Sequence, residues 1–191
     1  EKFNLEDIMR KFKRAVTDSE TAVKYDKENK PGISNLLTIY CAATGKSMAE
    51  AEAEFEGQGY GIFKPAVGEA VVELLLSIHD RKCLSCTRNN NCELQDLCRD
   101  LGIEDDNRFA GERIEYEIDD LSTSVVRDNN KCVLCRRCVA ACNNTQAVGV
   151  IGPVNRGFMT SIESPWNLKL AEMSCINCGQ CIAACPVGAL Y

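Results

Sequence analysis

Eight of the thirteen cysteines fall into two copies of one pattern, Cys132-x2-Cys135-x2-Cys138-x3-Cys142 and Cys175-x2-Cys178-x2-Cys181-x3-Cys185, the second followed by Pro186. The copies lie 43 residues apart in the same internal register, the trace of a duplicated unit with pseudo-two-fold symmetry. A disulfide framework fits poorly: the cysteine count is odd, the spacing is two residues, and no secretion signal opens the chain. Thiolates holding metal are the better account. Any fold of this chain has to be built around them.

Three cysteines within seven residues can wrap one face of a cubane. The fourth, three residues further on at an expected helix start, points toward a neighbouring cluster. The pattern resembles that of two-cluster bacterial ferredoxins, where the fourth cysteine of each run ligates the other cluster. On that resemblance Cys132, Cys135, Cys138 and Cys185 hold one 4Fe-4S cluster, and Cys175, Cys178, Cys181 and Cys142 hold the second. Structural zinc is the alternative, but its ligands normally come as separated pairs with a long loop between. Asn143 follows Cys142 where Pro186 follows Cys185, which loosens the turn without removing a ligand.

A second constellation precedes the runs: His79-x3-Cys83-x2-Cys86-x5-Cys92, containing the chain's single histidine. Its spacing suits a metal site, with Cys3His zinc and a third 4Fe-4S cluster as competing occupants. A neutral imidazole in place of a thiolate makes a cluster one unit less negative and raises its potential, unless hydrogen bonding or exposure offsets that. Cys41 and Cys98 sit in apolar helical stripes and read as packing residues.

Net charge is −6, with ten basic against thirteen acidic residues in 1–78 and twelve against fifteen beyond. Neither part has the basic excess of a nucleic-acid binder, and Arg136-Arg137 alone does not supply one. The longest apolar stretches fall far short of the ~20 residues that span a bilayer, so a cytoplasmic protein without a membrane span is expected. The chain opens on Glu1, which brings processing or truncation into the reading.

Residues 1–78 read as helical. Asn4 caps a helix with Leu5, Ile8, Met9, Phe12 and Val16 inward, and a second helix runs from about Ser34 to Gly45. Ser47-x-x-Glu50 is a capping box for a third, and Pro65 opens a fourth after the turn Gly57–Gly61. That fourth helix runs on without a linker to His79. Leu94, Leu97, Cys98 and Leu101 predict a short helix after Cys92 that stops at Gly102. Weak strand signals lie at 114–118, 147–151 and 158–162, the last two about a turn at Gly152-Pro153. Gly45-Lys46-Ser47 lacks the Walker glycine, Tyr40 standing in its place, and Gly57-x-Gly59 has Ile62 where a dinucleotide loop needs glycine; neither supports nucleotide binding.

From about Leu74 to Tyr191 the chain resembles the accessory iron-sulfur region of iron-iron hydrogenase catalytic subunits, shared with the large iron-sulfur subunit of NADH dehydrogenases. The resemblance rests on Leu74-Leu75-Leu76-Ser77-x-His79, on Cys83, Cys86 and Cys92 with Glu93-Leu94-Gln95, on Ile118-Asp119-Asp120, on Val126-Arg127-Asp128 and on the two runs. It implies that His79 ligates a 4Fe-4S cluster and that three clusters form part of an electron relay. Implied partners are a flavoprotein or ferredoxin donor and a hydrogenase catalytic domain. In that family a 2Fe-2S domain precedes this region and the hydrogen-activating domain follows it; neither is read in these residues, so hydrogen turnover by the polypeptide is not expected.

Residues 1 to about 73 resemble bacterial tryptophanyl-tRNA synthetase, through residues 11–20, Tyr25 to Leu37, and Glu56-Gly57-x-Gly59-Tyr60-Gly61-x-Phe63-Lys64. That enzyme's ATP-binding signatures are not among them, so aminoacylation is not expected. Retained tRNA affinity is disfavoured by the mild acidity of the segment, and a homo-oligomer is open because the synthetase family is dimeric. Both families offer a helix near Val71-Val72-Glu73-Leu74-Leu75, which reads as the seam of a fusion.

The expected fold class is α+β: a helical fragment over 1–73, joined by a continuous helix to a His/Cys cluster segment over 74–120 and a two-cluster ferredoxin-like domain over 121–191. The expected function is electron relay through three 4Fe-4S clusters. The alternative is a zinc-binding interaction module carrying a non-catalytic synthetase piece.

Overall fold

The computed structural model describes residues 10–12, 14–15, 20–104, 109 and 111–191 of the chain. These form two compact units, one drawn from residues up to 77 together with 97–109, the other from Ile78–Asp96 and residues from 111 on. Helices dominate, with one small antiparallel sheet.

The first unit is helical. The helix expected from Asn4 lies largely outside the described residues, although 10–12 and 14 are helical. Helix α1, Pro31–Thr44, starts three residues before Ser34 because proline's fixed φ suits the first helical position. Ser34 is already inside the helix, where its Oγ accepts a hydrogen bond from the Asp26 N–H at 2.8 Å. Gly45 ends α1 at φ 71°, donating its N–H to the Cys41 carbonyl, and Ser47 begins α2, Met48–Glu54, with both halves of the expected capping box formed. Gly45-Lys46-Ser47 is therefore a helix stop followed by a helix start.

Helix α3 spans Tyr60–Ile78 and contains Pro65, which the sequence placed at its beginning. The missing Pro65 N–H removes one helical bond, but Phe63 and Val67 on either side are fully buried and burial of this kind is worth roughly 1.5–3 kcal/mol per side chain. Packing thus carries the helix back through the proline to Tyr60. Tyr40, Phe55 and Phe63 meet edge to face, with ring centroids 5.0 to 6.3 Å apart, at the centre of a core with Ile33, Leu36, Leu37 and Val67. Cys41 lies beside that core with its Sγ 3.9 Å from the Met48 sulfur, as a packing residue should.

In the second unit, strands β1 (Gly152–Val154) and β2 (Ser161–Glu163) pair antiparallel with Pro153 opposite Ile162. The expected turn at Gly152-Pro153 is therefore displaced: the chain reverses after Val154, where Asn155 and Gly157 adopt positive φ, and Pro153 sits in a two-stranded ribbon whose free edge tolerates it. The strand expected over 114–118 does not form. Tyr116 gives its main-chain N–H and C=O to the Asn130 side chain, at 2.9 and 2.8 Å, so no neighbouring strand is needed there. Further on, Asp119 bridges Arg127, and Arg127 bridges Leu190, drawing the chain's last residues onto Val126–Asp128. Helix α4, Glu93–Leu101, follows Cys92 and meets its expected stop at Gly102, φ 65°. Among the described residues, no helix is long and apolar enough to cross a membrane.

Candidate metal centres

Each cysteine run forms the same local structure. Leu134 and Arg136 in the first, and Asn177 and Gly179 in the second, have positive φ at matching places, so the backbone coils left-handed around its own sulfurs. A non-glycine residue in that region costs of order 1 kcal/mol or more, and Leu134 and Arg136 bear it where Asn177 and Gly179 fit easily. The coil turns main-chain N–H groups inward: Leu134 N lies 3.4 Å from the Cys132 sulfur. Short helices then begin, α5 at Arg137–Ala140 and α6 at Gln180–Ala184, each from a left-handed cap.

Neither fourth cysteine stands at a helix start as the spacing suggested: Cys185 caps the end of α6, and Cys142 lies two residues past α5, inside a π turn. After Cys185, Pro186 cannot donate and the helix stops; after Cys142, Asn143 lets the chain continue as a π turn over Ala141–Thr145, with Gln146 N bonding the Ala141 carbonyl at 3.0 Å. The loosening expected from Asn143 takes this form. The cysteine keeps its inward place.

Tertiary structure crosses the runs. Cys132, Cys135, Cys138 and Cys185 line one cavity, walled by Val133, Ile151, Ile162, Val187 and Leu190. Cys175, Cys178, Cys181 and Cys142 line another, walled by Val125, Val148, Val150, Leu170 and Ile176. In the first, burial pushes the Cys132 thiol up to about 12, and the nearby Cys135 and Cys185 sulfurs push the same way. Cys138 is raised further by burial and then by Cys132, Cys185 and Cys135. Burial likewise raises Cys181, with Cys175 and Cys178 adding to it. Thiols gathered this closely in apolar pockets repel one another as thiolates. A multiply charged inorganic cation core removes that repulsion and displaces their protons.

Cys83, Cys86 and Cys92 form a third group. Burial raises the Cys92 thiol, followed by small contributions from Cys86 and Cys83. His79 is 7% exposed and its Nδ1 is buried without a hydrogen-bond partner. Burial lowers its pKa to about 4 against a weaker pull from the Lys131 main chain, so the ring is neutral with a lone pair free. Lys131 is the shared neighbour: its charge acts on both His79 and Cys86, and its Cδ, like the Cys86 sulfur, packs at Gly188. A buried orphaned nitrogen and three thiols are a donor set that fits a metal cluster.

Several supports were not legible in the chain. Arg137 grips Glu93 through two parallel bonds of 2.7 Å, and the Glu93 N–H bonds the Pro186 carbonyl at 3.0 Å, tying the residue after Cys92 to the residue after Cys185. Arg127, 5% exposed, lies 3.2 Å from Asp119 and 3.0 Å from Glu163, both also buried, and Asp119 Oδ2 accepts from the Leu170 N–H at 2.9 Å. Asp119 and Arg127 stood out in the sequence only as carriers of a resemblance; their work is to close the floor beneath the runs. Gly188 has no side chain because the Cys86 sulfur occupies the space.

Three family models match stretches of the chain. Residues 69–107 match the NADH-ubiquinone oxidoreductase-G iron-sulfur binding region, residues 131–189 the 4Fe-4S dicluster domain, and residues 4–76 the class I tRNA synthetases for tryptophan and tyrosine. The NADP-reducing hydrogenase subunit HndD of Solidesulfovibrio fructosivorans is 46% identical over 120 residues, covering 63% of this chain and 20% of its own length. The tryptophan–tRNA ligase of Bacillus anthracis is 50% identical over 103 residues, covering 54% of this chain and 30% of its own length. The chain thus spans well under half of either relative. In fold it is similar to a chain of an NAD+-reducing [NiFe]-hydrogenase solved in the H2-reduced state, with TM-score 0.61 and 23% identity over 67% of this chain and 54% of that one. The first and third family matches overlap at 69–76, on α3, where the sequence set its seam. The sequence therefore joins a stretch similar to tryptophan–tRNA ligases to stretches similar to the iron-sulfur binding regions of NADH dehydrogenases and hydrogenases.

Proposed function

We propose that the chain is an electron-transfer segment carrying three 4Fe-4S clusters, working as an accessory part of an NAD(P)H- or ferredoxin-linked hydrogenase whose catalytic domain lies elsewhere. When bound, each cluster accepts and releases one electron without making or breaking a substrate bond. The protein supplies spacing, shielding from water and potential. Cys132, Cys135, Cys138 and Cys185 would hold one cluster, Cys142, Cys175, Cys178 and Cys181 the second, and His79, Cys83, Cys86 and Cys92 the third. The observation that carries the reading is the crossing itself: each cavity takes three cysteines from one run and the fourth from the other.

A zinc module fits less well. Zinc ligands normally come as separated pairs with a long loop between, whereas these sulfurs, three from one run and the fourth from the other, are ranged around a cavity. The synthetase-like residues 1–73 are a non-catalytic helical piece, linked along the chain through α3 to segments 74–120 and 121–191. Redox partners are a flavoprotein or ferredoxin and a hydrogen-activating domain, in the cytoplasm. The test is anaerobic iron and acid-labile sulfide analysis with EPR of the reduced protein. About twelve iron atoms per chain fit three cubanes, and about eight would leave the His79 site to zinc. A colourless protein holding only zinc would end the reading.

A further inference from the structure

Arg137 is the first residue of α5 and stands in sequence between Cys135 and Cys138, two of the thiols that line the first cavity. Its guanidinium is fixed by the bidentate bond to Glu93, a geometry lysine cannot reproduce. Glu93 is anchored in turn through its N–H to the Pro186 carbonyl, beside Cys185. Within this clamp Arg137 keeps its Nε buried and without a hydrogen-bond partner. Its positive charge acts on the sulfurs of both Cys135 and Cys185. The side chain is 17% exposed, so water screens this field only in part.

We propose that Arg137, positioned by Glu93, sets the reduction potential of the cluster held by Cys132, Cys135, Cys138 and Cys185. This rests on the reading that those thiolates hold a 4Fe-4S cluster. Reduction adds one electron and one negative charge to the cluster. A nearby fixed cation stabilises that added charge. Glu93 tempers the effect, because its carboxylate neutralises much of the guanidinium. Removing Arg137's charge therefore lowers the potential. Removing Glu93's charge while leaving the guanidinium raises it. Two substitutions in one ion pair thus move one property in opposite directions, which loss of a structural clamp alone would not do.

The test is an EPR-monitored redox titration of the full chain with dithionite as reductant, following the signal that disappears in Cys132→Ser. In Arg137→Gln, at the poise where the unaltered protein is half reduced, the reduced-to-oxidised ratio should fall about tenfold, equivalent to 59 mV for a one-electron couple. In Glu93→Gln the ratio should rise, and in Arg137→Lys it should lie between Arg137→Gln and the unaltered chain. The signal lost in Cys178→Ser should stay at its own potential throughout. Shifts of the same sign in Arg137→Gln and Glu93→Gln, or no shift in either, overturn the proposal. If Arg137→Gln sheds iron, Glu93→Gln decides alone, since every thiolate and the guanidinium remain; an unmoved potential, or loss of the cluster there too, makes the pair only a clamp and overturns it. An unaltered protein without iron-sulfur signals sinks the proposed function instead, a result separable from all of these.

Discussion

Gly188→Ala should empty one metal site and spare the other two. Gly188 does not have a positive φ, so alanine introduces no backbone strain there, yet its methyl would fall on the Cys86 sulfur, well inside van der Waals contact, with Lys131 Cδ at 3.6 Å and Arg88 Cβ at 3.9 Å closing the other sides. Val187 and Ala189 beside it are buried, at 1% and 4% exposure, so the backbone has little room to retreat. The Cys86 side chain must turn away instead. Overpacking of this kind costs about 1–3 kcal/mol. Since that cost falls on a ligand atom, binding at the His79, Cys83, Cys86 and Cys92 site should weaken by about 5- to 150-fold. The assay is iron per chain after reconstitution under limiting iron and sulfide, read beside EPR of the reduced protein. The expected result is a fall from about twelve iron atoms toward about eight, with the two crossed clusters unchanged. Gly152→Ala is the control, because a methyl there meets nothing within 4 Å. If Gly188→Ala keeps the iron content of the control, or loses a crossed cluster instead, the packing argument is wrong.

Three further outcomes are expected. Cys142→Ser should damage the cluster held mainly by the second run, leaving intact the EPR signal that depends on Cys132. Arg127→Met should destabilise the folded protein by about 3–5 kcal/mol, because it strands two buried carboxylates, Asp119 and Glu163, without their cation; chemical denaturation measures it. In the metal-free chain, stability should also fall with acid. His79 has a folded pKa of about 4 against an ordinary 6.5, so the unfolded chain takes the proton first as pH drops. Its contribution, roughly 3 kcal/mol, is complete above pH ~6.5 and is lost as pH falls toward 4. His79→Asn should flatten that part of the stability profile, and an unchanged slope would mean that His79 is not buried neutral.

The helices of the first unit were legible because caps and apolar periods are local: Ser47 and Glu50, four residues long in sequence, contain their whole interaction. Pro65 misled because its preference for a helix start is weaker than the burial of Phe63 and Val67, which lie on the core side of the same helix. The strand signal at 114–118 misled because the partner that satisfied Tyr116 was the side chain of Asn130, not another strand. Arg137 likewise stood out only as one of two adjacent arginines too few to make a basic patch. Its partner Glu93 stands 44 residues away, and no local pattern announces it.

Cysteine spacing by itself determined the kind of chemistry, since a thiolate's affinity for metal belongs to the residue and three thiolates within seven residues stay within reach of one another in any fold. The ferredoxin resemblance already implied which run supplies the fourth sulfur to which cavity; that His79 carries an orphaned nitrogen and that Gly188 leaves room for Cys86 were decided only in three dimensions. Burial and charge pairing depend on residues distant in the chain, and chain folding alone brings those together.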